Sequence, residues 1–115
     1  MEKKRMKMSE LLSYIEFKLE KTEDNTYRLI DLQHANLGGI EDEVFHTPAE
    51  IIERCTIYWR DYEIFGLCED LNVSESDFKD WEELYEFATN FYGEDKVDKN
   101  TILYWLINPE MVDME

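Results

Sequence analysis

Read for spacing alone, the chain changes period twice. Ile15-Glu16-Phe17-Lys18-Leu19-Glu20 alternates apolar and charged residues, the two-residue repeat of a strand with one covered face. Thr22-Glu23-Asp24-Asn25 reads as a turn, and Tyr27-Arg28-Leu29-Ile30-Asp31-Leu32 resumes the alternation. Together they predict a β-hairpin over 14–33. Ahead of it, Met6 to Leu12 reads as a short helix. Behind it, His34-Ala35-Asn36-Leu37-Gly38-Gly39 reads as a loop whose glycine pair can take positive φ, and Glu43-Val44-Phe45-His46 is a candidate third short strand.

From Thr47 the period becomes helical. Thr47 suits the N-cap, Pro48 the first helical position, and Glu50 completes a capping box. Ile51, Ile52, Cys55, Tyr58 and Trp59 then recur at helix spacing, so a helix is expected from about 48 to 60. Residues 61–73 are ambiguous, with break signals at Gly66 and Asn72. A second helix is expected over 77–92, capped by Ser74 or Ser76, with Asp77 and Asp80 near its positive end. Phe78, Trp81, Leu84, Tyr85, Ala88, Phe91 and Tyr92 share one face at about 100° per residue and read as core. Gly93 suits the position that ends this helix. After a polar connection over 94–100, Thr101 to Ile107 is apolar and short, a buried helix or a strand; helix is favoured, since Asp98 or Asn100 can cap it and Pro109 can stop it. The class is α+β: a small antiparallel sheet, made of the N-terminal β-hairpin plus a candidate third strand, covered by two or three α-helices. One domain over 1–115 is expected, with a basic tip at 1–7 and a tail at 109–115, both loose.

Composition supports a folded chain and adds a sign. Of 115 residues, 43% are hydrophobic and 14% aromatic, enough for a core. The net charge is −16, from 28 acids and 12 bases. Residues 1–60 hold 12 acids and 9 bases, four of the latter being Lys3, Lys4, Arg5 and Lys7; residues 61–115 hold 16 acids against 3 bases. Such an excess argues against direct binding to nucleic acid, which takes a basic footprint, and against anionic lipid. No leader pattern and no run of roughly 20 apolar residues is visible. The expected location is therefore the cytoplasm, with Cys55 and Cys68 reduced.

Chemistry for catalysis is not assembled. His34 and His46 lie in loop-like stretches outside any metal-ligand spacing, and Cys55 falls on the apolar helix face as a buried thiol. Gly38-Gly39 lacks the phosphate-loop pattern. Asp95, Asp98 and Asn100 lack the glycine and closing glutamate of a calcium loop. The expectation is a protein that is not an enzyme and carries no metal or cofactor.

The acids themselves are the candidate site. Asp80, Glu82, Glu83 and Glu86 spread over the side of the 77–92 helix opposite its apolar face, with Lys79 the one base nearby. Phe87 falls among them, either an exposed interface anchor or a ring tucked under a neighbouring loop. Asp61 and Glu63, Glu69 and Asp70, Glu41-Asp42-Glu43, and Glu94-Asp95 could extend the pattern. Duplex DNA carries a negative charge every ~1.7 Å of axis and is met by Lys and Arg; spaced carboxylates on a rigid fold can occupy the same groove.

In size, acidity, aromatic content and hairpin-plus-helices layout, the chain resembles the small acidic proteins by which phages and mobile elements block bacterial defence nucleases. These are the DNA-mimic antirestriction proteins and type II-A anti-CRISPR proteins. The stretch Tyr27-Arg28-Leu29-Ile30-Asp31-Leu32-Gln33-His34-Ala35-Asn36-Leu37-Gly38-Gly39-Ile40-Glu41 looks like open reading frames of such elements in Gram-positive bacteria. The resemblance implies a partner class and no residue-level site: a Cas9-like or restriction enzyme in the bacterial host cell, its basic DNA channel filled. For Cas9, the arginines that read the PAM would be the target. The other reading is an immunity protein, antitoxin or adaptor neutralising a basic protein.

Overall fold

Hydrophobic alternation and a polar turn place the hairpin first. The computed structural model describes residues 5–33, 37–93 and 102–114. Lys3 and Lys4, the loop residues His34, Ala35 and Asn36, the Glu94-Asp95 pair, the Asp98 and Asn100 caps and the faint calcium pattern lie outside them. The chain divides into two compact units, Met1–Arg54 with Glu110–Glu115, and Cys55–Pro109. The class is α+β.

In the first unit, β1 (Met6–Lys7) leads into α1 (Met8–Ser13), followed by the antiparallel pair β2 (Phe17–Lys21) and β3 (Tyr27–Asp31). Register sets Leu19 opposite Leu29 and Phe17 opposite Asp31, so Phe17 and Leu29 bury on one face. On the other face Glu20 stands across from Arg28, an opposite-charge pair worth a fraction of a kcal/mol at best, about 0.2–1. The turn is closed by Thr22 N–H donating to the Thr26 carbonyl at 2.9 Å, with Asn25 in the left-handed region at φ 61°. Asn tolerates that region better than most residues, because its short polar side chain bonds locally. The hairpin stops at Asp31, whose buried carboxylate accepts from Gln33 N–H at 2.9 Å and turns the chain. The candidate third strand at 43–46 shrinks to one bridge: Phe45 exchanges both backbone hydrogen bonds with Tyr27 at 2.8 Å.

The 3₁₀ segment Leu37–Asp42 follows, and α2 (Pro48–Trp59) begins where the capping pattern places it. Glu50 N–H donates to Thr47 Oγ1 at 3.3 Å, while the Glu50 carboxylate reaches back one residue further than expected, to His46 N–H at 2.6 Å. That hydrogen bond, ahead of the charge of His46, holds the Glu50 carboxyl below its ordinary range. Of the expected stripe, Ile51, Ile52, Cys55 and Trp59 are buried and Tyr58 is half-buried.

Two boundary expectations are corrected at the chain's ends. Met6 and Lys7 are extended and not helical, because they form a parallel ladder with β4 (Val112–Asp113). For the same reason neither 5–7 nor 109–114 is loose: Met111 and Val112 are buried. Arg5 seals the junction, with Nη2 donating to Asp113 Oδ1 at 2.7 Å and to the Glu110 carbonyl at 2.9 Å.

In the second unit α2 runs out into a single π-turn, Arg60–Ile64, and continues as α3 (Phe65–Leu71). Gly66 does not break it. Asn72 does: at φ 57° its N–H donates to the Glu69 carbonyl and Val73 N–H to the Cys68 carbonyl, the paired bonds of a Schellman closure. α4 (Trp81–Tyr92) ends at Gly93, φ 97°, whose N–H donates to the Thr89 carbonyl at 2.8 Å. α5 (Ile102–Ile107) is the short buried helix expected there, with Ile102, Leu103, Trp105 and Leu106 inside, and it packs on α4. Cys55 and Cys68 are both buried and free. Burial, then the charges of Glu75 and Asp77, pushes the Cys68 thiol up.

The junction of β1 and β4 gives a test. The Arg5 guanidinium holds the Asp113 carboxyl below the usual carboxylate range. A depressed carboxylate supports the fold fully above its unfolded pKa and loses that support as pH falls through the folded value. Amide protection at Met6, Lys7, Val112 and Asp113 should therefore hold at neutral pH and collapse below the ordinary carboxylate range. Asp113→Asn should lower protection at neutral pH to the level that the wild type reaches in acid, and remove the transition. A wild-type ladder equally protected through acid would show that the ion pair does not hold the ends together.

Candidate partner-binding face

The helix that carries the candidate acids is itself built on carboxylates. Ser74 and Asp77 exchange a capping box around the 3₁₀ turn Glu75–Asp77, with Ser74 N–H donating to Asp77 Oδ2 at 2.9 Å. Phe78 is then extended, at φ −117° and ψ 146°, so the helix expected from 77 starts only at Trp81. Asp80 is its N-cap, accepting from Glu83 N–H at 3.0 Å, and the Glu83 carboxylate accepts from Lys79 N–H at 3.2 Å. Two caps in tandem consume Asp77, Asp80 and Glu83. Neither Ser74 nor Ser76 caps α4.

The remaining acids point outward. Glu82 and Glu86 are exposed, as are Asp61, Glu69 and Asp70, and none pairs with a described basic side chain. Glu63 is different: it is half-buried, and desolvation raises its carboxyl above the ordinary range. The structure thus sets Asp80, Glu82, Glu83 and Glu86 together on one helix and places Asp61, Glu63, Glu69 and Asp70 along the π-turn and α3.

The apolar side of α4 is narrower than its periodicity suggests. Leu84 and Ala88 are buried; Trp81, Tyr85 and Tyr92 are half-buried; Phe91 is 62% exposed. Trp81 is therefore not a core residue. Its ring lies 5.4 Å beneath the Arg60 guanidinium, and Arg60 Nε meets Glu75 Oε1 at 2.9 Å. The stack ties the π-turn, the 3₁₀ turn and the start of α4, and it borders an open cleft of about 270 Å³ completed by Phe78, Lys79, Asp80 and Leu84. Phe87 has both fates foreseen for it, 38% exposed and yet edge-on to Phe78 at 5.4 Å.

Sequence reasoning missed Arg60, the release of Phe78 from the helix, and the exposure of Phe91. A signal existed for the first boundary: Ser74-x-x-Asp77 and Asp80-x-x-Glu83 are successive N-terminal patterns, and two such patterns cannot open one helix. Among the described residues no group of three or more His, Cys, Asp or Glu is placed to hold a metal ion, and no helix is long and apolar enough to cross a membrane.

The difference between tryptophans is measurable. Trp105 is buried, so Trp105→Ala should cost about 3–5 kcal/mol in urea unfolding. Trp81→Ala, losing a surface stack and a half-buried ring, should cost clearly less; equal losses would mean that Trp81 belongs to the core after all. Comparison with known family models, curated proteins and solved structures returns no match.

Proposed function

We propose that the protein is an acidic inhibitor of a bacterial defence nuclease, Cas9-like or a restriction enzyme, acting in the cytoplasm of the host cell. It binds the basic nucleic-acid channel and blocks entry of DNA or guide RNA. The observation that carries this reading is the outer side of α4, where Glu82 and Glu86 stand exposed with no described cation to neutralise them. Their i,i+4 spacing sets Cβ atoms about 5–6 Å apart, and the mutual repulsion costs the isolated helix a few tenths of a kcal/mol. A basic groove relieves that repulsion and replaces it with charge-assisted hydrogen bonds, to arginine above all. Asp61, Glu69 and Asp70 supply further carboxylates in the same unit that pair with no described cation. The partner is a basic protein; the chain itself, at −16, is repelled by nucleic acid.

Association driven this way is fast and salt-sensitive. Nuclease binding to labelled DNA, followed with and without the protein, is the test. Inhibition should weaken steeply between about 0.1 M and 1 M salt, as the screening length falls from about 10 Å to about 3 Å. The double reversal Glu82→Lys, Glu86→Lys should weaken inhibition by about tenfold or more at low salt while leaving the melting temperature near native. Glu83 is left intact because it caps the helix. Inhibition that ignores both salt and the double reversal would remove α4 from the interface. Neutralisation of a small basic toxin, with no nuclease affected, would replace the reading by that of an immunity protein.

A further inference from the structure

A surface that only imitated phosphates would need carboxylates and nothing else, yet the flank of α4 also exposes large rings. At about 100° per residue, Phe87 and Phe91 stand about 40° apart and one turn along, between the buried Leu84–Ala88 side and the acidic side. Phe91 is 62% exposed and Phe87 38%. Edge contacts lengthen the strip at both ends: Phe78 to Phe87 at 5.4 Å, and Phe91 to Tyr92 at 4.9 Å. On its outer border the next positions round the helix are Glu83, Asn90 and Glu86. An apolar strip with carboxylates along one side is complementary to a segment carrying apolar residues one turn apart and cations beside them.

We propose that α4 receives a cationic amphipathic helix of the partner, its apolar residues on Phe87 and Phe91 and its Lys or Arg side chains on the acidic border at Glu86. The spacing favours a helix over an extended segment: Phe87 and Phe91 are separated by about 6 Å of rise, which an i,i+4 pair on an opposing helix repeats, whereas alternate strand residues stand about 7 Å apart and bring one row of cations only. The inference rests on the acidic-face reading for the sign of the partner and adds to it an apolar component that salt does not screen.

The experiment uses the full chain and two probes: a helical peptide of leucine and lysine patterned on one apolar face, and polylysine of equal charge. Binding is measured across salt, and the binding surface is mapped by amide shifts in the labelled wild-type protein. The amphipathic peptide should bind at least about tenfold more tightly than polylysine, retain binding at high salt, and shift Phe87 and Phe91. Phe87→Ser, Phe91→Ser should abolish that preference and leave polylysine binding unchanged. Phe91→Ser alone, at the more exposed ring, should reduce the preference without touching the fold. Equal binding of the two probes, or a preference that survives both variants, overturns the amphipathic partner while leaving the acidic face standing. Failure of polylysine to bind at low salt would instead strike the acidic-face reading, and the two failures are separable.

Discussion

Carboxylates outnumber cations by more than two to one in this chain, 28 to 12, so most of them cannot be satisfied by ion pairs. The constraint is met by giving acids to the backbone. Glu50 takes the N–H of His46, Asp77 that of Ser74, Asp80 that of Glu83, and Glu83 that of Lys79. Each lies at a helical N-terminus, where orphan N–H groups and the positive end of the helix dipole favour negative charge. Three arginines serve side-chain carboxylates instead: Arg5 on Asp113, Arg54 on Glu43, Arg60 on Glu75. What remains exposed on α4 after this allocation is Glu82 and Glu86, which pair with no described cation.

The allocation explains which expectations the structure meets. The hairpin is legible because period-two alternation, a Thr-Glu-Asp-Asn turn and opposite-charge cross-strand positions all agree on one register. The helix from Pro48 is legible because cap, first-turn proline and buried stripe coincide. The start of α4 is not, because periodicity continues backward through Phe78 and outvotes a cap pattern when only spacing is counted. The backbone decides otherwise: Phe78 is extended, since Ser74 to Asp77 already closes its own turn. The β1–β4 ladder is out of reach for a different reason. Two-residue strands carry no period, and their pairing joins positions far apart in the chain, Met6 with Val112.

The site shows the same division. That the acidic side of α4 faces outward follows from the wheel alone. Which acids on it are available does not, because Asp80 and Glu83 are engaged as caps. Exposure of Phe91 is hidden for the opposite reason: a ring at a core-compatible angle is assumed buried, but the described element that packs most extensively on α4 is the short α5. A six-residue helix covers less than two turns of a twelve-residue one, and a shoulder of the longer helix is left in solvent.

On the proposed reading, that shoulder bears on how an acidic protein selects among basic ones. Carboxylates alone attract every cationic surface in a cell, nucleases, ribosomal proteins and polyamines alike, and their attraction is spread over several ångströms and screened by salt. Discrimination needs a short-range term that wrong partners fail. Exposed rings provide it, because a hydrated lysine tail set against Phe91 gains no charge pairing there and leaves apolar surface uncovered, whereas an apolar residue of a matching segment excludes water. The long-range field would then gather cationic partners without choosing among them, and the aromatic shoulder would choose by contact. On this division of labour the acids set how quickly a complex forms and the rings set how long it lasts.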